Sequence, residues 1–151
     1  MLILAANIIW FIVNGWHLAL GWWIAGILMC LTIVGIPWGI AAFRIGWLAV
    51  WPFGRTAIDR ELITGRDDLG TGTVGTIGNV LWFVLAGWWL AIWHLLWAIA
   101  DFLTIILIPF SIQAFKLAGL VLAPIGKEIV PVEVADEARR RAAGRRLDRM
   151  G

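Results

Sequence analysis

The side chains able to do chemistry are few, and they lie in apolar surroundings. Asp101 is the one charged residue between positions 73 and 115. A carboxylate at the centre of a membrane helix costs about 3 kcal/mol to insert, so an acid kept there is by default a candidate for a polar or ion-conducting path. On a helix it shares a stripe with His94, Thr104 and Ser111. The plainer alternative is an acid near the outer interface, satisfied by His94 or by water. Pro37 and Pro109 each remove a helix hydrogen bond and free the carbonyl four residues earlier, at Ile33 and Ile105. Thr32 and Thr104 lie beside these breaks. Broken helices with exposed backbone line ion paths in several transporters, whereas an ordinary proline kink is tolerated where neighbouring helices and Thr hydroxyls satisfy the freed groups.

Other chemistries find no support. His17, His94, the lone Cys30 and Asp101 make no metal-ligand spacing, so no metal is expected, and the two histidines read as interfacial residues. No nucleophile–base pair, carboxylate dyad or phosphate loop is present, so neither an enzyme nor a cofactor is expected. Residues 70–75 match G-x-G-x-x-G, but without a strand–turn–helix context the match reads as a loop entering a membrane segment.

The elements that must position these residues come in two copies. Residues 7–55 and 79–127 align without a gap at an offset of 72, with 19 of 49 positions identical. The identities include Asn7/Asn79, Trp10/Trp82, Gly15/Gly87, Thr32/Thr104, Pro37/Pro109, Pro52/Pro124 and Gly54/Gly126. Composition bias produces matched Leu and Ile, but not matched Asn, Trp, Pro and Gly in register. The chain is an internal duplication. The counterpart of Asp101 is Met29, so any role of that acid is not repeated.

Each copy is a membrane unit. The chain is 62% apolar and 15% charged, with a mean hydropathy of +0.89, and residues 1–43 carry no charge at all. A soluble domain of this size cannot hide two such runs. A cleaved signal peptide is not expected, since the start lacks a basic region and the apolar run continues past any cleavage site. One crossing needs about 20 residues, so each run is long enough for two. Trp and His cluster at both midpoints, around 17–23 and 88–94, and such residues favour the headgroup level. The fold class expected is therefore an all-α integral membrane protein of two parallel tandem repeats. Each repeat is a helical hairpin, with spans near 3–20, 24–43, 75–92 and 96–115. The rival is one long span per copy plus a re-entrant segment broken at Pro37 and Pro109.

All twelve Lys and Arg lie at or beyond Arg44. The positive-inside rule then puts both termini and the central segment in the cytoplasm and both midpoints outside, with the two hairpins pointing the same way. Arg44, Trp47, Leu48 and Trp51 make one stripe of a short interfacial helix stopped at Pro52, echoed by Lys116, Gly119, Leu120 and Ala123. Arg44, Lys116, Arg55 and Lys127 are read as inner-interface cations. Gly35 and Gly39 form a close-packing face, within the copy or between subunits. The domains are membrane repeat 1 at 1–55, a cytoplasmic connector at 56–73, membrane repeat 2 at 74–127, and a charged cytoplasmic tail at 128–151. In the tail, acids precede bases at helical spacing, as on a solvated helix.

The block GIPWGIAAFRIGWLAVWPFGR (35–55) and its echo LIPFSIQAFKLAGLVLAPIGK (107–127) resemble the YccF-type inner-membrane component family, in which a domain of this length also occurs in tandem. Copy 2 departs from the pattern at Leu107 and Ser111, where copy 1 has Gly35 and Gly39. The resemblance implies a membrane location and carries over no activity. Heavy Arg, Ala and Gly use points to a bacterial source, hence a multi-pass protein of the bacterial inner membrane. Two functions fit: a homo-oligomeric ion channel or transporter, with ions as substrate, or a scaffold or accessory subunit binding lipid or protein partners. Membrane lipid is an expected partner, and nucleic acid is not, since the basic tract lacks interleaved aromatics.

Overall fold

A computed structural model describes residues 1–65, 70–148 and 150 of the chain. The first helix, α1, runs without a break over Leu2–Leu31. A four-residue turn leads to α2 (Ile36–Val50), strand β1 (Arg55–Asp59) and a one-turn helix, α3 (Arg60–Thr64). The second copy repeats the plan with α4 (Gly72–Leu103), α5 (Ile108–Leu122), β2 (Lys127–Pro131) and the tail helix α6 (Val132–Asp148). Residues 66–69 of the expected connector lie outside the described residues.

The expected spans require correction. Neither copy breaks at its Trp-rich midpoint. The breaks fall at Thr32–Gly35 and Thr104–Leu107, so each hairpin has one long arm and one short arm. Helices α1 and α4, at 30 and 32 residues, are long and apolar enough to cross a membrane. The short arms have 15 residues each, or about 22 Å, less than the roughly 30 Å of hydrocarbon. The count of four spans is therefore not supported. Nor is there a separate interfacial helix: Arg44, Trp47 and Leu48 belong to the body of α2, and Trp51 caps it. The chain is also not wholly helical, because β1 and β2 form an antiparallel pair.

The identical residues explain the hairpin. Asn7 donates from Nδ2 to the Phe53 carbonyl and accepts from the Phe53 N–H, and Asn79 makes the same two bonds with Ile125. Trp10 Nε1 donates to the Ala49 carbonyl at 2.7 Å, and Trp82 to Val121 at 2.7 Å. Two side chains in each copy thus pin the start of the long arm to the end of its short arm, and three of the four (Asn7, Trp10 and Trp82) are fully buried, where an unsatisfied polar group is costly. Both long arms carry a π-helical turn, Phe11–Gly15 and Phe83–Gly87. A Cβ on Gly15 or Gly87 would press on the Trp10 or Trp82 indole at about 3.1–3.2 Å, which is why Trp and Gly recur together.

The turns are built for an apolar medium. Thr32 Oγ1 donates to the Met29 carbonyl and accepts from the Gly35 N–H, and Thr104 does the same between Asp101 and Leu107. Ile33 and Ile105 sit at φ 61° and 62°, a left-handed conformation that costs a β-branched residue about 1–2 kcal/mol. The side chains at the tips are apolar and outward-facing, with Ile33 76% and Ile106 85% exposed.

The two copies are related by a local two-fold. The strand register pairs Arg55 with Pro131, Ala57 with Ile129 and Asp59 with Lys127, so it is centred on equivalent residues 72 positions apart. Contacts between the long helices follow the same rule. Asn14 meets Asp101, His17 meets Trp97 and Trp22 meets His94: as one number rises, the other falls. Helices α1 and α4 therefore run past each other in opposite directions, and Phe110, near the tip of copy 2, packs on Trp10 and Phe53 at the open end of copy 1. Along the axis itself the two hairpins keep the same sense, as any two-fold requires, and what runs in opposite directions is their component perpendicular to it. What recurs is a two-fold crossing.

Candidate functional site

The crossing buries the polar residues of the membrane core. Trp22 donates from Nε1 to His94 Nε2 at 3.1 Å, and His94 Nδ1 faces the Leu90 carbonyl at 2.9 Å. One imidazole nitrogen accepts and the other donates, so a singly protonated ring meets both needs. The Trp22 and Trp82 indoles stack at 5.5 Å with planes 19° apart. Residues 22 and 94 are two-fold equivalents, so the contact sits on the local axis.

Asp101 is buried and accepts from Asn14 Nδ2 at 2.6 Å. His94, the partner the plainer alternative offered, does not bond to it: the bond comes from the facing helix, out of the π-turn of α1. Asn14 was missed by sequence reasoning. Its signal was present, as a polar residue in an apolar run that the second copy replaces with Ala86. The two-fold equivalents of Asn14 and Asp101 are Ala86 and Met29, both buried. One side of the crossing is thus polar and the other apolar. Asn14 Oδ1 and His17 Nδ1 are buried without a hydrogen-bond partner. Ser111 donates to the Ala98 carbonyl, which ties α5 to α4.

The other candidates take the following places in the fold. Thr32 and Thr104 are committed to the turns. Pro37 and Pro109 stand in the first turn of α2 and α5, where a missing N–H costs nothing. The Ile33 and Ile105 carbonyls, expected to be free, accept from the Ile36 and Ile108 N–H groups. Gly35 belongs to the turn, where a Cβ would meet the Met29 carbonyl and the Thr32 hydroxyl. Gly39 packs within its own copy, against Gly26 and Cys30. His17 lies against the Trp97 ring at 4.3 Å, inside the helical layer. No group of three or more His, Cys, Asp and Glu able to hold a metal occurs among the described residues.

The cations diverge. Arg44 bridges to Glu128 at 2.5 Å, and Arg60 reaches the same carboxylate at 3.2 Å. Lys127 pairs with Asp59 at 2.6 Å. Lys116 and Arg55 make no ion pair among the described residues and border one cavity between α5, β1 and β2. In the tail, Asp136–Arg139 and Glu137–Arg141 pair at helical spacing, as the order of acids and bases indicates.

Two long apolar helices, polar groups satisfied by each other across a crossing, and charges gathered at the sheet and tail define an integral membrane protein of duplicated hairpins. The comparisons give the same class. The model of the inner membrane component domain, YccF, matches twice, over residues 5–55 and 77–127. The chain is 35% identical over 143 residues to inner membrane protein YccF of Escherichia coli (strain K12) and, to the same extent, to that of Shigella flexneri. That alignment covers 94% of this chain and 97% of the relative. No solved structure matches. The chain belongs to the YccF family, and carries two copies of its domain.

Proposed function

We propose that this protein is a non-catalytic membrane scaffold, seated from the cytoplasmic face, whose sheet and tail helix are the surface it offers to partners. The observation that carries the reading is that the intramembrane polar side chains pair with one another, leaving Asn14 Oδ1 and His17 Nδ1 as the buried side-chain atoms without a partner among the described residues. Trp22 with His94 and Asn14 with Asp101 close on each other, the two threonines cap turns, and the tips end in apolar side chains. A conduction path needs polar groups facing a lumen, and within one chain these groups face each other across the two repeats. Charged strands belong in water, so the local two-fold runs along the membrane normal, with both termini on the cytoplasmic side with the bases.

The second reading is a channel or transporter built by several copies. It is favoured by one observation: Asp101 and the unpartnered Asn14 Oδ1 lie together inside the membrane layer, and an intramembrane acid is a functional candidate by default. Reconstitution of the purified chain in liposomes, with ion flux read against Asp101→Asn, separates the two. The scaffold reading predicts background flux for both proteins. Flux well above empty liposomes that Asp101→Asn abolishes would replace it with the channel.

A further inference from the structure

Arg44 and Lys116 hold the same position in the two repeats, yet their surroundings differ. Around Arg44 the chain supplies its own anion, since Glu128 accepts from Arg44 and Arg60 together. The equivalents of Glu128 and Arg60, 72 residues away, are Thr56 and Val132. Both border the same cavity as Lys116, whose volume is about 760 Å³. Two further exchanges open it. Trp47 and Trp51 of copy 1 correspond to Gly119 and Ala123, which line the cavity. A Cβ on Gly119 would meet nothing within 4 Å.

The cavity is cationic. Arg55, Lys116, Lys127 and Arg139 border it, and among the described residues no Asp or Glu does. Lys127 and Arg139 are engaged by Asp59 and Asp136, whereas Lys116 and Arg55 have no carboxylate partner among the described residues. One wall is apolar, from Ile112, Leu117 and Leu120 of α5, a helix whose Ile112 and Phe115 are exposed on the membrane layer.

We propose that this cleft binds the phosphodiester headgroup of an anionic phospholipid, the phosphate taking the place that Glu128 fills in copy 1. Ammonium and guanidinium groups bind phosphate oxygens through charge-assisted hydrogen bonds, and the apolar wall gives the acyl chains a surface continuous with the bilayer. A free phosphate would use the same cations without that wall. The site is independent of the choice between scaffold and channel, because it lies outside the Asp101 crossing.

The test uses the full chain in detergent, with thermal unfolding followed on addition of phosphatidylglycerol, phosphatidylcholine or inorganic phosphate. Phosphatidylglycerol should raise the midpoint, and the other two should not. Lys116→Gln should weaken the response about fivefold, the worth of one base near an anionic lipid. Thr56→Glu installs the carboxylate of copy 1 and should abolish the response while leaving the unfolding midpoint in its absence unchanged or higher. Thr56→Gln, of like shape without charge, should keep the response. Equal stabilisation by phosphatidylcholine, or an undiminished response in Thr56→Glu or Lys116→Gln, would overturn the proposal. An equal response to inorganic phosphate would overturn the lipid assignment. Should Thr56→Glu fail to fold, the Lys116→Gln titration decides alone.

Discussion

Trp22 and His94 are the same position of the two repeats, and they are hydrogen-bonded to each other at 3.1 Å. Across a true two-fold a residue on the axis meets its own copy. Here duplication followed by divergence has made one partner a donor and the other an acceptor.

Trp22→Phe leaves His94 Nε2 buried without its donor, at a cost of about 1–3 kcal/mol. His94→Trp crowds two indoles on the axis. The exchange Trp22→His with His94→Trp re-forms the pair in the opposite sense, and should lose less stability than the two single changes summed. Unfolding of the unaltered chain, Trp22→His, His94→Trp and the double exchange in one detergent measures this. Simple additivity would show that the contact across the axis contributes nothing.

Asn14→Ala strands the Asp101 carboxylate and should cost about 3 kcal/mol. Adding Asp101→Met converts the polar side of the crossing into the Ala86 and Met29 arrangement of the other side. That double variant should recover most of the loss, since a well-packed apolar pair can match a buried polar one. Equilibrium denaturation in mixed micelles checks the order, single variant below double variant.

At the tips, Thr32→Val removes both bonds of its hydroxyl and should destabilise by about 1–2 kcal/mol. Ile33→Gly relieves the left-handed strain and should stabilise by about 1 kcal/mol. Thr104→Val and Ile105→Gly should behave alike, because both turns have the same geometry. A loss of stability in both glycine variants would mean that the lipid contacts of the isoleucines outweigh the backbone term.

Cysteines at Val34 and Ile106, in a Cys30→Ala background, report the direction of the two-fold. With the axis along the membrane normal, equivalent positions always lie at the same depth and on the same side, so both should react identically with impermeant maleimides in intact and in opened cells. Cysteines at Glu61 and Ala138 should react only after opening. Opposite sidedness of Val34 and Ile106 would place the axis in the membrane plane.

The duplication, the membrane class and the clustering of charge were legible in the sequence because Asn, Trp, Gly and Pro matched in register. The break within each copy was misplaced. The Trp-rich midpoints looked like interfaces, yet both lie inside unbroken helices, and Trp22 is fully buried against His94 and Trp82. Pro37 and Pro109 did mark the break, but a proline fits both a kink and a first turn, and only the capping threonine upstream separates the two. The partner of Asp101 could not be read, since Asn14 is 87 residues away and the pairing depends on how two helices cross. The five-residue strands gave no pattern long enough to see. Each follows a glycine with positive φ, Gly54 or Gly126, which the sequence showed only as a matched pair of the two repeats.

The register of the two strands bears on how such a gene could arise. A polypeptide with one repeat would present a strand whose mate is a second copy of itself, so the pairing between Ala57 and Ile129 is what a homodimer would make across its symmetry axis. An unpaired strand is a ready template for another chain. A half-length ancestor would therefore be obligately paired, and fusion would have freed each half to specialise: Glu128 closing one side, Lys116 left open on the other. Residues 1–65 and 70–151, expressed together as separate polypeptides, retain both strands and both faces of the crossing, and should still find each other.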